Sequence, residues 1–414
     1  MNLFLTSKNI KKEAISTFKL ILIRLLFTVF GFGFTVYLSK VLGIKFYGSY
    51  FEILKFIQLF TLLGLLGYPS LISRNVNINI RDKTLHGAFK TSIIISLTLY
   101  IIYLIKSINV DDIILLVLGL FILIFNVFTK IYEAIRISEA KPIKATLFNI
   151  SLIHSLFFIV LVMTSNLNLQ VDETIFYIFF LTLISLFLFF FKFDFGLDLK
   201  FSEVISLNKL YYIKSSLKIF AYKANRIALT KFDIIMLSFF ANPIEIGVYG
   251  IASRFPSIAD SLYNIISSNI TGRLSKANDK KNIKDFKLIF FSSCVISLLI
   301  SILVIFFFII FFNPLMRIFE LDIVLGVKSL ILFILPSSIN LIFGQIETFM
   351  NVLKYENVLY KSSMISFPLI ICTMVVGTYF RSIDSVLISL IIGSIILNIV
   401  NIFFFIKTYK TAFN

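Results

Sequence analysis

The sequence predicts an all-α, polytopic membrane protein of about twelve transmembrane helices arranged as two six-helix lobes. Three observations carry that expectation. The chain has 414 residues, of which 58% are hydrophobic, and a mean hydropathy of +0.97, whereas soluble domains hold roughly 45–50% apolar residues. Its apolar residues gather in runs of about 20, each long enough to cross a hydrocarbon layer of about 30 Å. Features of the first half also recur in the second at a nearly constant offset.

The runs place spans near 15–38, 48–71, 87–105, 113–133, 143–163, 174–191, 213–240, 246–270, 288–312, 327–349, 358–379 and 383–406. They are continuously apolar, which favours helices over barrel strands that alternate over about 10 residues. The first run follows Lys8, Lys11 and Lys12, lacks a small-x-small cleavage site, and reads as an uncleaved span. The longest connections, Phe191 to Tyr212 and Gly272 to Lys287, are too short to fold into a catalytic domain. The chain is therefore expected not to be an enzyme.

Net charge is +17, from 39 Lys plus Arg against 22 Asp plus Glu. In a soluble protein that balance would suggest nucleic acid, but here no soluble domain exists to dock on it. The loop cations cluster at alternate span ends, with only Lys40, Lys45, Lys106, Arg317 and Arg381 on the opposite side. By the positive-inside rule both termini are expected in the cytoplasm. Cys294 and Cys372 lie inside apolar spans and imply neither disulfide nor metal. No cofactor is expected.

The repeat shows in Tyr47-Gly48 and Tyr249-Gly250, which are 202 residues apart; the same shift carries Arg24 onto Arg226. Asn126, Lys130 and Glu133 share one face of span 4, and Asn340, Gly344 and Glu347 have the same i, i+4, i+7 spacing in span 10, offset by 214. The expected lobes are 1–200 and 201–414, parallel repeats with a site between them.

Ionisable groups deep in a bilayer cost at least about 2.5–3.5 kcal/mol on insertion scales, so they mark sites. Arg24 lies about 14 Å along span 1 and Arg226 about 20 Å along span 7, at 1.5 Å per residue. Tyr222, Arg226, Thr230 and Asp233 share a face of span 7, with Lys223 on its flank. Asp233 alone cannot neutralise Arg24, Lys218, Lys223, Arg226 and Lys231, so an anionic cargo is expected; a guanidinium fork suits phosphate oxygens. Against this stands an ion pair of Arg226 with Asp233, or with an acid elsewhere, that holds helices together. Asn126, Lys130, Glu133, Asn340 and Glu347 are candidates for an inner gate or ion coupling, or mark a wet membrane interface. His154, mid-span, is either a proton relay or a hydrogen-bonded core residue.

No G-x-x-x-x-G-K-[ST] occurs, so ATP hydrolysis through a P-loop is not expected. Leu42-Gly43 through Tyr47-Gly48, and Asp233 followed by Gly247-Val248-Tyr249-Gly250, in a twelve-span chain of two repeats, together resemble the polysaccharide-transporter branch of the multidrug/oligosaccharidyl-lipid/polysaccharide exporter superfamily. Within it the chain is most similar to O-antigen and capsule repeat-unit flippases. Where family members often place proline after the Leu-Gly, this chain has Ile44.

The resemblance implies a MATE-like, V-shaped bundle working by alternating access in a bacterial inner membrane. It implies an undecaprenyl-diphosphate-linked oligosaccharide as cargo, moved from the cytoplasmic to the periplasmic leaflet. A polysaccharide polymerase and a chain-length regulator are implied as partners, besides membrane lipids. Two alternatives stand beside it: a small-molecule or drug exporter of the same superfamily, and a polysaccharide polymerase or ligase, whose usual large periplasmic loop is missing here.

Overall fold

A computed structural model describes residues 19, 22–23, 26–69, 72, 78–106, 113–138, 150–166, 172–195, 209–254, 256, 259–260, 262, 267, 274, 283–319, 327–353 and 355–413. Every regular element among them is helical. The chain divides into two compact units, Met1–Leu217 and Lys218–Asn414. The sequence reading puts the cut at 200/201; in the structure it falls within a helix.

In the first unit α1 spans Leu26–Val41 and α2 spans Gly43–Leu65. They follow one another directly, because Gly43 adopts φ 86°, a left-handed turn costly to residues with a Cβ. The sequence reading places a nine-residue connection there and starts the second span near 48. α2 ends where Leu66 and Gly67 both take positive φ and the Leu66 N–H bonds to the Leu63 carbonyl. Then come α3 Ile78–Lys106, α4 Ile113–Ser138, α5 Ile150–Asn166 and α6 Glu173–Phe195. The Asp172 carboxylate caps α6 by accepting from the Ile175 N–H at 3.0 Å.

In the second unit α7 is Lys209–Leu237, beginning in the last residues of unit 1, and α8 is Pro243–Ala252. The tight turn between them follows from the local sequence. The Asn242 side chain accepts from the Glu245 N–H, the Glu245 carboxylate accepts from the Asn242 N–H, each at 2.9 Å, and Pro243 occupies the first turn. α9 is Ile283–Phe319, α10 Val327–Phe343, α11 Gln345–Val352, α12 Glu356–Tyr379 and α13 Ile383–Phe413. The expected continuous span 327–349 is interrupted at Gly344, which separates α10 from α11.

Within unit 1, α3 packs on α4, α4 on α6 and α5 on α6; within unit 2, α9 packs on α10, α10 on α13 and α12 on α13. The two sets correspond under the sequence repeat. α2 packs on both α3 and α4, and around that junction Leu65, Tyr68, Ile72, Val127, Ile131, Ala134 and Ile135 form a core cluster.

Six stretches among the described residues are long and apolar enough to cross a membrane: Gly43–Leu65, Ile113–Ile137, Lys287–Ile310, Leu332–Met350, Asn357–Tyr379 and Ile383–Thr408. Five shorter apolar helices accompany them. α7 is in neither group, since Lys218, Lys223, Arg226, Lys231 and Asp233 interrupt its apolar residues. α9 shows what the bilayer does to packing. Its Ser293, Ser297, Ser301, Val304 and Phe308 are buried, while Leu288, Phe291, Val295, Leu299, Ile302 and Leu303 are exposed, an apolar surface suited to lipid.

Candidate functional site

The polar interior of the second unit begins on α7. Asn225 is 2% exposed, and its amide donates to Ser363 Oγ at 3.2 Å and to Ser366 Oγ at 2.7 Å on α12. Ser366 donates to the Ser362 carbonyl, and Ser362 Oγ donates to Asn401 Oδ1 of α13 at 2.6 Å. One turn along α13, Asn398 donates to Asn340 Oδ1 of α10 at 3.1 Å and to the Ser394 carbonyl. Among apolar side chains these groups satisfy one another and tie α7, α10, α12 and α13 together.

One cavity opens on this network. Its wall is Asn225, Arg226, Glu347, Leu359, Ser363, Leu397 and Asn401, from α7, α11, α12 and α13. Arg226 and Glu347, singled out separately in the sequence, thus meet at one place. The space admits about a water molecule, so it is part of a wall rather than an enclosure for a sugar. Asn225 Oδ1 is buried there without a hydrogen-bond partner among the described residues.

The Arg226–Asp233 ion pair, one form of the helix-tying alternative, is not formed among the described residues. Asp233, 7% exposed, instead accepts at Oδ2 from the Tyr249 hydroxyl of α8 at 2.7 Å, and its Oδ1 has no partner among the described residues. Tyr249 packs on Phe333 of α10, ring centroids 4.7 Å apart. On the same face of α7, the Thr230 hydroxyl donates to the Arg226 carbonyl at 2.8 Å, which leaves it only lone pairs to offer a ligand. Tyr222, Lys223 and Lys218 lie on α7, but their side chains are outside the described residues, as is Arg24 altogether.

In the first unit Lys130 and Glu133 pair with each other at 2.8 Å, with 46% and 31% of their side chains exposed. Asn126 is buried, its Nδ2 without a partner among the described residues. His154 is a core residue: its Nε2 lies 2.7 Å from the Tyr50 hydroxyl and its ring stacks on Phe34 at 4.5 Å, within a cluster that includes Phe157, Phe176 and Phe180.

The α12 and α13 residues of the network escaped the sequence reading. Their signal was the recurrence of small polar residues on one face of an apolar run: Ser362 and Ser366, and Ser394, Asn398 and Asn401.

No family model and no curated protein matches the chain. Solved structures do. A multidrug-resistance MATE family transporter of the MOP superfamily, inward-facing, is 15% identical with a TM-score of 0.62, over 93% of this chain and 95% of that one. A Vibrio cholerae MATE transporter is 13% identical with a TM-score of 0.60, over 97% and 98%. A Pyrococcus furiosus MOP-superfamily transporter, described by the reverse polarity of its binding pocket, is 12% identical with a TM-score of 0.50, over 95% and 94%. At these identities the likeness establishes architecture, and the chain is a polytopic membrane protein of the MATE-like fold.

Proposed function

We propose that this chain is an alternating-access flippase that moves a polyprenyl-diphosphate-linked oligosaccharide, an O-antigen or capsule repeat unit, from the cytoplasmic to the periplasmic leaflet of a bacterial inner membrane. The observation that carries the reading is Arg226, a guanidinium on the wall of a cavity that Asn225, Ser363 and Asn401 also line. A planar fork of donors is matched to phosphate oxygens. The cation surplus of spans 1 and 7 in the sequence supports the same sign of cargo, with Arg24, Lys218, Lys223 and Tyr222 as further contacts. The lipid tail stays in hydrocarbon while the headgroup crosses, and a polymerase and chain-length regulator would act on the delivered unit.

A second reading, a small-molecule exporter, is favoured by the multidrug-resistance transporter among the structural neighbours. Reconstitution separates the two. Vesicles holding the protein should expose a fluorescent polyprenyl-diphosphate oligosaccharide on the far leaflet and fail to accumulate a cationic dye; the reverse result establishes the exporter. In cells, deletion should strand the complete lipid-linked unit in the cytoplasmic leaflet. Unpolymerised units in the periplasmic leaflet would instead identify a polymerase.

A further inference from the structure

Asn225 ends in an oxygen to which the cargo reading gives no task. The residue is 2% exposed on α7, and its side-chain amide donates to Ser363 Oγ at 3.2 Å and to Ser366 Oγ at 2.7 Å. Which end of the amide faces α12 is settled by the hydrogens available. Ser366 gives its own hydroxyl hydrogen to the Ser362 carbonyl at 2.9 Å, so its oxygen can only accept, and the atom opposite it must be the Nδ2 donor. Oδ1 is then turned away from the serines, buried and without a partner among the described residues. Such an oxygen is costly inside an apolar bundle unless something donates to it.

The surroundings narrow the choice of donor. Asn225 and Arg226 are consecutive on α7 and border the same cavity, with Ser363, Asn401 and Glu347 as its other polar residues. Asn401 Oδ1 is already taken by the Ser362 hydroxyl at 2.6 Å, and Ser363 Oγ by the Asn225 amide. The wall thus sets an open acceptor beside a guanidinium. It has room for about one water-sized group, enough for a single hydroxyl or N–H and too little for a sugar ring. Of the ligands that fit one such oxygen, a cation is opposed by the charge of Arg226, and a water accounts for the oxygen alone. A sugar attached to a phosphate accounts for both groups: a phosphate oxygen accepts from the guanidinium, and a hydroxyl or acylamino N–H close by on the ring donates to Oδ1.

We propose that Asn225 is a specificity-determining residue of the same site: Oδ1 accepts one hydroxyl or amide N–H of the sugar bonded directly to the diphosphate, while Arg226 holds the phosphate. Ser366 is the positioning residue that keeps the oxygen turned to the cavity. The inference rests on the flippase reading and sharpens it, since it requires the first sugar to carry a hydrogen donor next to its phosphate linkage.

Binding of short-chain probes to the full-length protein in detergent tests this. The probes are farnesyl diphosphate, farnesyl diphosphate joined to an N-acetylhexosamine, and that conjugate with every sugar O–H and N–H methylated. The native protein should hold the sugar conjugate about 5- to 10-fold more tightly than farnesyl diphosphate, the worth of one buried hydrogen bond, and should show no such preference for the methylated conjugate. In Asn225→Ala the preference should fall below about twofold; in Ser366→Ala, where the amide can turn, it should fall part of the way. A purely structural Asn225 would weaken all the probes by one common factor and leave the native preference in place, which overturns the proposal. Equal binding of the first two probes by the native protein, the result expected if only water occupies Oδ1, overturns it as well. If Asn225→Ala does not fold, methylation decides on the native protein alone: a preference that survives it sinks the proposal. Failure of the native protein to bind any diphosphate probe refutes the cargo reading itself, a result distinct from binding without preference.

Discussion

The two units share spacing and differ in where they send their polar groups. Glu133 on unbroken α4 pairs with Lys130, one turn earlier on the same helix. Its counterpart Glu347 follows Gly344, where the repeat has glycine for that lysine; the helix breaks there and the carboxylate faces the cavity shared with Arg226. A second pair behaves alike. Tyr47 is fully buried with its hydroxyl unpartnered among the described residues, and the position 202 before Asp233 is Gly31. Tyr249, at the matching place, holds Asp233. Among the described residues, the first unit pairs Glu133 within its own helix and packs rings around His154, while the second turns Glu347 and Asn225 to one cavity and joins Asn398 to Asn340. One duplicated frame thus yields a packed half and a polar half.

If function lives in the polar half, equivalent changes should have unequal effects. The largest contrast is expected between Arg226→Ala or Glu347→Gln, which should abolish flipping at near-normal membrane abundance, and Lys130→Ala or Glu133→Gln, which should change it less than about twofold, since an exposed i,i+3 pair contributes only about 0.3–0.5 kcal/mol. Arg226→Lys should restore part of the rate by keeping the charge without the fork. Equal losses in both halves would dissolve the comparison.

Packing gives a contrast of the opposite sense. At Gly64 a Cβ would collide with Ser96 Oγ and come within 2.7 Å of the Ser92 carbonyl oxygen, breaking the bond from Ser96 Oγ to the Phe60 carbonyl that joins α3 to α2. At Gly377 the nearest atoms are Ser389 Cβ and Oγ at 2.8 Å and the Ser385 carbonyl oxygen at 2.9 Å, and Ser385 Oγ bonds the Gly377 carbonyl across α12 and α13. Close helix approach of this kind depends on small residues. Gly64→Ala should cost about 3 kcal/mol and Gly377→Ala about 1–2 kcal/mol, read as loss of thermal stability in detergent. A tolerated Gly64→Ala would show the first unit to be looser than its core suggests.

Hydropathy located the helices well and their ends poorly, for a physical reason. It marks the length in contact with hydrocarbon, so 288–312 was legible whereas the full α9, Ile283–Phe319, extends past it at both ends, where Lys284, Asp285, Lys287, Asn313 and Arg317 interrupt the apolar run. A break such as Gly344 leaves the apolar run intact and is invisible to a window; a left-handed glycine such as Gly43 removes a loop that composition would have placed. Arg226, Glu347 and Asp233 were each visible as ionisable groups within apolar runs, and Tyr249 as half of a repeated Tyr-Gly pair. Their pairing was not, because an acid chooses its partner by helix packing. Periodicity put Arg226 and Asp233 on one face, yet two turns of helix separate them, and α8 brings Tyr249 nearer.

The smallest expected effect sharpens the comparison most. Removing the Tyr249 hydroxyl strips Asp233 of its donor, and leaving a buried acceptor unsatisfied costs about 1–3 kcal/mol. Removing the Tyr47 hydroxyl strips nothing: that oxygen is buried among the described residues with no partner, so phenylalanine keeps the ring, including its stacking on Phe51 with centroids 5.8 Å apart, and relieves an unmet donor. Tyr47→Phe should therefore leave the melting temperature in detergent unchanged or slightly raised, while Tyr249→Phe lowers it. A Tyr47→Phe loss as large as that of Tyr249→Phe would mean that the first unit, too, places a polar partner opposite its tyrosine, and the contrast between a packed and a polar half would fail at that pair.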